Sequence, residues 1–201
     1  MSSEFEKKEY DYKGRWVSYW HQINEVLDLK PRCVLEIGIG SQTTANYLKN
    51  KGVELTTLDI DPELKPDVVA SVQQMPLPNS SADVILCAEV LEHLPFDKFE
   101  QCLVELARVS AGYVVLSLPH FGPAIKFSFK APFIKEAHWA FKLPIPKQHQ
   151  IEGGHQWEIG KRGYPLSKIK AAIKKYFIIQ KEFIPFENQY HHFFILKKIQ
   201  I

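Results

Sequence analysis

Glu36-Ile37-Gly38-Ile39-Gly40 places a carboxylate two positions ahead of a Gly-x-Gly turn, and Asp59 closes the apolar run that starts at Leu55. Glycines at such a turn let the backbone come close to a ligand. A carboxylate ending the neighbouring strand can take both hydroxyls of a ribose. Glu36 then narrows the rest of the ligand, because a negative side chain beside the turn repels phosphate and suits a cationic amine. A dinucleotide site usually carries G-x-G-x-x-G, whereas the third position here is Thr43. Two plainer readings stand beside this one: a tight turn with no ligand, and Asp59 or Asp61 as helix caps ahead of Pro62. Asp59 is preferred over Asp61 because it ends the strand itself.

These residues need a scaffold, and the hydrophobic pattern supplies one. Cys33 to Ile37, Leu55 to Leu58, Val68 to Ala70, Ala82 to Cys87 and Val114 to Leu118 read as strands. A helix from about Thr43, closed by Gly52, follows the first. Asp97 with Glu100 predicts a capping box for a helix carrying Phe99, Leu103 and Leu106. Trp16, Val17, Trp20, Ile23 and Leu27 predict an amphipathic helix over 15–29 that ends before Pro31. Strands alternating with helices imply right-handed crossovers and a mostly parallel sheet covered on both sides, with ligands at the strands' carboxyl ends. From Pro119 to Pro165 prolines, glycines, histidines and aromatics mix without a period, which predicts an inserted lid or substrate region. Ser167 is expected to cap a last helix, and Phe177 to Ile184 and Tyr190 to Leu196 to close the sheet as strands.

Composition sets the limits. With 201 residues, 45% of them hydrophobic, the chain can bury a core without staples, and one domain over 1–201 is expected, with 1–30 as an N-terminal helical segment. Lys plus Arg (25) nearly balance Asp plus Glu (23), so charge gives no reason to expect a nucleic-acid or membrane partner. Cys33, Cys87 and Cys102 lack C-x-x-C spacing and read as reduced, buried thiols of a cytoplasmic protein. The start lacks a signal peptide's apolar stretch, and no apolar run is long enough to cross a bilayer. His191 and His192 fall on opposite faces of a strand, and no zinc signature is present, so no metal is expected.

Taken in order, Val34-Leu35-Glu36-Ile37-Gly38-Ile39-Gly40, Leu58-Asp59-Ile60-Asp61, Met75-Pro76-Leu77-Pro78 before Ala82-Asp83-Val84-Ile85, and Glu89-Val90-Leu91-Glu92-His93-Leu94 resemble class I S-adenosylmethionine-dependent methyltransferases over residues 33 to 118. The resemblance implies a single Rossmann-like α/β domain, with a mostly parallel seven-stranded sheet whose last strand is antiparallel and helices on both faces. It implies S-adenosyl-L-methionine as cofactor. Gly38 and Gly40 would pack against it, Glu36 would orient the turn and the methionine amino group, and Asp59 would bind the ribose. Ile60 would flank the adenine, Val72 and Gln73 would border its edge, and Cys87 would lie beside the methionine moiety. Ser71 departs from the acidic residue the family often has just before the adenine-flanking position.

Methyl transfer from a sulfonium mainly requires alignment of the acceptor, with a base optional. The candidates are His155, which could take a proton near neutral pH, Glu158, which could fix its tautomer or bind an amine, and His120. Trp157 could wall the pocket. Each histidine has a structural reading too, and His93 is read as a structural hydrogen-bonding residue. Phe127 to Phe141, with Lys126, Lys130 and Lys135, could be a lid, a packed face or a dimer face. Lys168, Lys170, Lys174 and Lys175 read first as the solvated face of a helix. The expected activity is methylation of an unidentified small molecule by a monomer or homodimer. A cofactor-binding module without turnover, an RNA or protein methyltransferase and, through its acidic second-strand end, an NAD-dependent oxidoreductase are the alternatives.

Overall fold

The computed structural model describes residues 12–134, 136–151 and 153–199. Lys135 and the first eleven residues, on which parts of the lid and N-terminal readings fall, lie outside them. In chain order the elements are α1 (Lys13–Asp28), β1 (Cys33–Ile37), α2 (Thr43–Asn50), β2 (Glu54–Asp59), β3 (Val68–Val69), β4 (Ala82–Ala88), α3 (Phe99–Val109), β5 (Ser110–Pro119), β6 (Ala124–Phe129), β7 (Ala137–Lys142), α4 (Leu166–Ile173), β8 (Phe177–Phe183) and β9 (His191–Lys198). Seven strands form one sheet in the order β3-β2-β1-β4-β5-β9-β8. The first five are parallel, and β9 runs antiparallel to both β5 and β8.

Period-two alternation divides the core into two layers. Leu35, Ile37, Ile85, Cys87, Val114, Leu116, Phe194 and Leu196 face the side covered by α3 and α4, where Phe99, Leu103, Leu106, Ile169 and Ile173 pack. Val34, Val84, Leu86, Val115 and Ile195 face the other side, against Val26 of α1 and Leu48 of α2. This parity decides where each polar residue at the strand ends points. It also lines up the carboxyl ends of β1, β2 and β4, and because β9 is antiparallel its first residues, His191 and His192, join the same edge opposite Pro119 and Leu118.

Three local expectations are corrected. On α1 the tryptophans are not in the buried stripe: Trp16 is 54% and Trp20 60% exposed, while Ser18, Gln22, Glu25 and Val26 are buried. That polar face is buried because it lies over the glycine turn, where Tyr19 Oη meets Ser41 Oγ at 3.0 Å and Thr44 Oγ1 donates to Gln22 Oε1 at 3.1 Å. Asp97 does not cap α3; it sits in a 3-10 turn, and Glu100 instead accepts from Lys175 Nζ at 2.8 Å and Tyr176 Oη at 2.9 Å. Ser167 lies inside α4, which starts after Pro165 without a side-chain cap. Within 119–165, β6 and β7 pair as an antiparallel hairpin whose Phe127, Phe129, Trp139 and Phe141 are exposed.

The lysines on and just after α4 are solvated or paired: Lys170 reaches Glu182, Lys175 pairs with Glu100, and Lys168 Nζ lies 4.4 Å from the Phe96 ring centroid. No helix of the described residues is long and apolar enough to cross a membrane.

Candidate functional site

The aligned strand ends and α1 enclose a cavity of about 280 Å³, near the lower end of the usual size for a small-molecule site. Its floor is the turn after β1. Gly38 (φ +78°) and Gly40 (φ +46°) hold left-handed conformations that favour glycine. Gly38 N–H donates to Leu58 O at 2.9 Å, tying the turn to β2. Asp59 lies across from it and accepts from Ile39 N–H at 2.9 Å and Asp61 N–H at 3.0 Å, so one carboxylate fixes the turn and faces the cavity. Asp61 caps the following 3-10 turn by accepting from Glu63 N–H.

Glu36 also lines the cavity yet is only 4% exposed, and its Oε2 has no hydrogen-bond partner. Burial raises its pKa to about 8, against a small opposing pull from Lys49. A buried acceptor left unpaired in a protein wall costs stability unless a donor arrives with the ligand. A primary ammonium is such a donor, and Gly38 lets the turn lie directly against Val90, where a Cβ would stand 2.3 Å from Val90 Cγ2. The residues present therefore fit an amino-acid nucleoside.

Of the other expected cofactor residues, Ile60 and Val72 line this cavity, as does Ser71, whose Oγ accepts from Gln73 N–H. Gln73 is not part of the lining; its carbonyl accepts from Gln101. Cys87 is fully buried in the α3 layer, on the same strand face as Ile85, and Leu86 and Ala88 line the cavity in its place. Burial pushes its thiol well above the usual range.

The acceptor-side candidates separate. His120 faces away: its Nδ1 is 2.8 Å from His192 Nδ1, and both line a second cavity, of about 700 Å³, under the hairpin. Burial and the neighbouring His192 depress its pKa to about 3. Trp157 is not a pocket wall; it is fully buried against Phe96 and Phe99, with Nε1 donating to Leu94 O at 3.1 Å. His155 and Glu158 do come together, beside the first cavity. Tyr190 Oη donates to Glu158 Oε1 at 2.9 Å and lies 3.2 Å from His155 Nδ1. Burial works to raise the Glu158 pKa, but its bonds to His155 and Tyr190 and the charge of Lys161 outweigh this and lower it.

Two cavity residues were given no cofactor or catalytic role from the sequence. Glu89 follows β4 at φ +55°, accepts from Ser117 Oγ at 2.8 Å and lies 3.6 Å from His191 Nε2. Its pKa rises to about 7 through burial. His191 is held by Ser18 Oγ at 2.8 Å and kept neutral by burial, its pKa near 3. The signal for Glu89 is the one that finds Glu36 and Asp59, an acidic residue at a strand's carboxyl end.

The fold is that of a single Rossmann-like α/β domain. The family model described as a methyltransferase domain matches residues 35–116. That stretch, from β1 to β5, is similar to the methyltransferase domains the model describes, and it carries the glycine turn and Asp59. Among solved structures, the N-methyltransferase NodS from Bradyrhizobium japonicum in complex with S-adenosylhomocysteine is similar at a TM-score of 0.66 and 11% identity, covering 98% of this chain and 95% of that one. The 1,6-didemethyltoxoflavin-N1-methyltransferase of Burkholderia thailandensis gives 0.61 at 13%, covering 92% and 81%. Magnesium protoporphyrin IX methyltransferase from Synechocystis gives 0.59 at 15%, covering 92% and 80%. No curated protein matches the sequence.

Proposed function

We propose that the enzyme transfers the methyl group of S-adenosylmethionine to a small-molecule acceptor. The observation that carries this reading is Glu36 Oε2, buried without a partner on the floor of the same cavity that Asp59 borders. The matched relatives act on small molecules or hold the cofactor or its product by their own descriptions. Here Glu36 is assigned the methionine ammonium, Gly38 and Gly40 the close backbone approach, Asp59 the ribose hydroxyls, and Ile60 and Val72 the adenine.

When bound, the cofactor supplies an activated methyl on a sulfonium, so the protein's task is alignment and exclusion of water. Ser18, Tyr19 and Gln22 of α1 cover the turn and shield it. His155 and Glu158 stand at the acceptor end, and the hairpin of the 119–165 insertion lies over the neighbouring cavity. A cytoplasmic protein that is a monomer or homodimer remains the expectation for its setting.

The test is calorimetry with S-adenosylhomocysteine followed by turnover against a metabolite panel. Product with at least one small acceptor is expected. Tight binding with no product across a broad panel would favour a binding module.

The Glu36 assignment carries a pH signature. At neutral pH the free carboxyl is largely protonated, its pKa being about 8, and an ammonium needs the ionised form, so binding expels a proton. Affinity should rise with pH by at most about tenfold per unit up to about pH 8 and then flatten. Arg15, Asp59, Glu89, His93 and His191 face the same cavity, so the slope is compared with that of Glu36→Gln, which should be shallower. Stability runs the other way. A carboxyl whose folded pKa exceeds its unfolded one loses stability as pH climbs from about 4.5 to about 8, so Glu36→Gln should melt higher than the parent in alkaline buffer. Equal slopes in parent and variant would remove Glu36 from the ammonium site.

A further inference from the structure

Beside the cofactor cavity, Glu92, His93 and His155 bring one carboxylate and two imidazoles together, their nearest ligand atoms all within 4.8 Å of one another. Glu92 is fully buried, and neither carboxylate oxygen has a hydrogen-bond partner. His155 explains why this matters. Tyr190 Oη gives its proton to Glu158, so its oxygen accepts from His155 Nδ1–H at 3.2 Å. That bond leaves the lone pair on His155 Nε2, 3.9 Å from Glu92 Oε1. A carboxyl oxygen and an imidazole nitrogen thus face each other in this space at a separation too long for a hydrogen bond.

We propose that Glu92, His93 and His155 bind one divalent transition-metal ion at the edge of the methyl-transfer cavity. Two imidazoles and one carboxylate suit zinc, cobalt or manganese better than magnesium or calcium, which prefer oxygen alone. Metal bonds of about 2.0–2.2 Å require the ligand atoms to draw closer than they stand. The Tyr190–Glu158 pair is the outer support such a histidine uses, fixing its tautomer and ring plane.

The backbone holds the distant ligand in place. Gln156 N–H donates to Glu92 O at 2.7 Å, and Trp157 Nε1 donates to Leu94 O, so the His155 segment is stitched to the turn that carries Glu92 and His93. Gly154 (φ +80°) lets it lie flat on His93; a Cβ there would sit 3.1 Å from His93 Nδ1.

Three protein ligands leave positions for other donors, and His93 also lines the cofactor cavity. The ion would there hold an oxygen or nitrogen of the acceptor next to the methyl group. This role rests on the methyl-transfer reading; the metal site does not.

Protein stripped with a chelator and titrated with cobalt should take up one equivalent and develop visible absorption, and zinc should displace it. His155→Gln and Glu92→Gln should each weaken uptake at least about tenfold, whereas H138Q, an exposed histidine in the hairpin, should leave it unchanged. S-adenosylhomocysteine binding measured on the same samples reports folding and tests the cofactor site separately. Absence of saturable uptake by the unmodified protein would overturn the proposal, with no variant needed. Equal uptake by folded His155→Gln and Glu92→Gln proteins would overturn it too.

Discussion

Replacing Asp59 with alanine is expected to weaken S-adenosylhomocysteine binding by roughly 10- to 100-fold, or about 1–3 kcal/mol. Two losses add in that number. The ribose loses an ionised acceptor for its hydroxyls, and the turn loses the carboxylate that receives Ile39 N–H and Asp61 N–H. Asp59→Asn separates them, because the amide keeps one oxygen for Ile39 while giving up the charge. Asn should therefore bind better than alanine and worse than the parent. Asp61→Ala is the neighbouring control: its carboxylate caps a 3-10 turn, so calorimetry should place its binding within about 0.5 kcal/mol of the parent. A larger loss at Asp61 than at Asp59 would move the ribose contact two residues along the chain.

Gly38→Ala should destabilise the fold itself by about 2–4 kcal/mol. Part of this is backbone strain, since φ is +78° and alanine loses the freedom glycine has there. The rest is crowding, because the new Cβ would stand 2.3 Å from Val90 Cγ2, and a β-branched neighbour has few rotamers to retreat into. Denaturant unfolding measures the sum. Val90→Ala in the same chain relieves the crowding but not the strain, so the double variant should lie closer to Val90→Ala than the Gly38→Ala penalty predicts. Simple additivity of the two single losses would show that the two residues are not in contact.

The parallel sheet was legible because its strands are short apolar runs bounded by Gly, Pro and polar residues, and the order of motifs from Val34 to Leu94 carried the methyltransferase resemblance. Period two also held: His191 faces the cavity above the glycine turn and His192 the one under the hairpin. Applied to β4, the same rule assigns Cys87 to the α3 layer with Ile85, a deduction open to anyone who fixes which face the cavity occupies. Helix faces were harder. The stripe of Trp16 and Trp20 is more apolar than that of Ser18 and Gln22, but the polar face is the one α1 buries, because it covers a polar turn. The cap at Asp97 failed for a related reason, since Glu100 finds Lys175 and Tyr176 from far along the chain. His155 and Glu92 are 63 positions apart in the sequence, and the bonds from Gln156 N–H to Glu92 O and from Trp157 Nε1 to Leu94 O bring them together. Periodicity contains no information about such a junction.

The outward tryptophans of α1 give the protein an optical gauge of its own. Arg15, Ser18, Tyr19 and Gln22 form one wall of the cavity above the glycine turn, while Trp16 and Trp20 ride on the water-facing side of the same helix. An indole half in water and half against its helix responds to small shifts of that rod, so a change in emission on adding S-adenosylhomocysteine is the expected sign that α1 moves as the cavity fills, read without an attached dye.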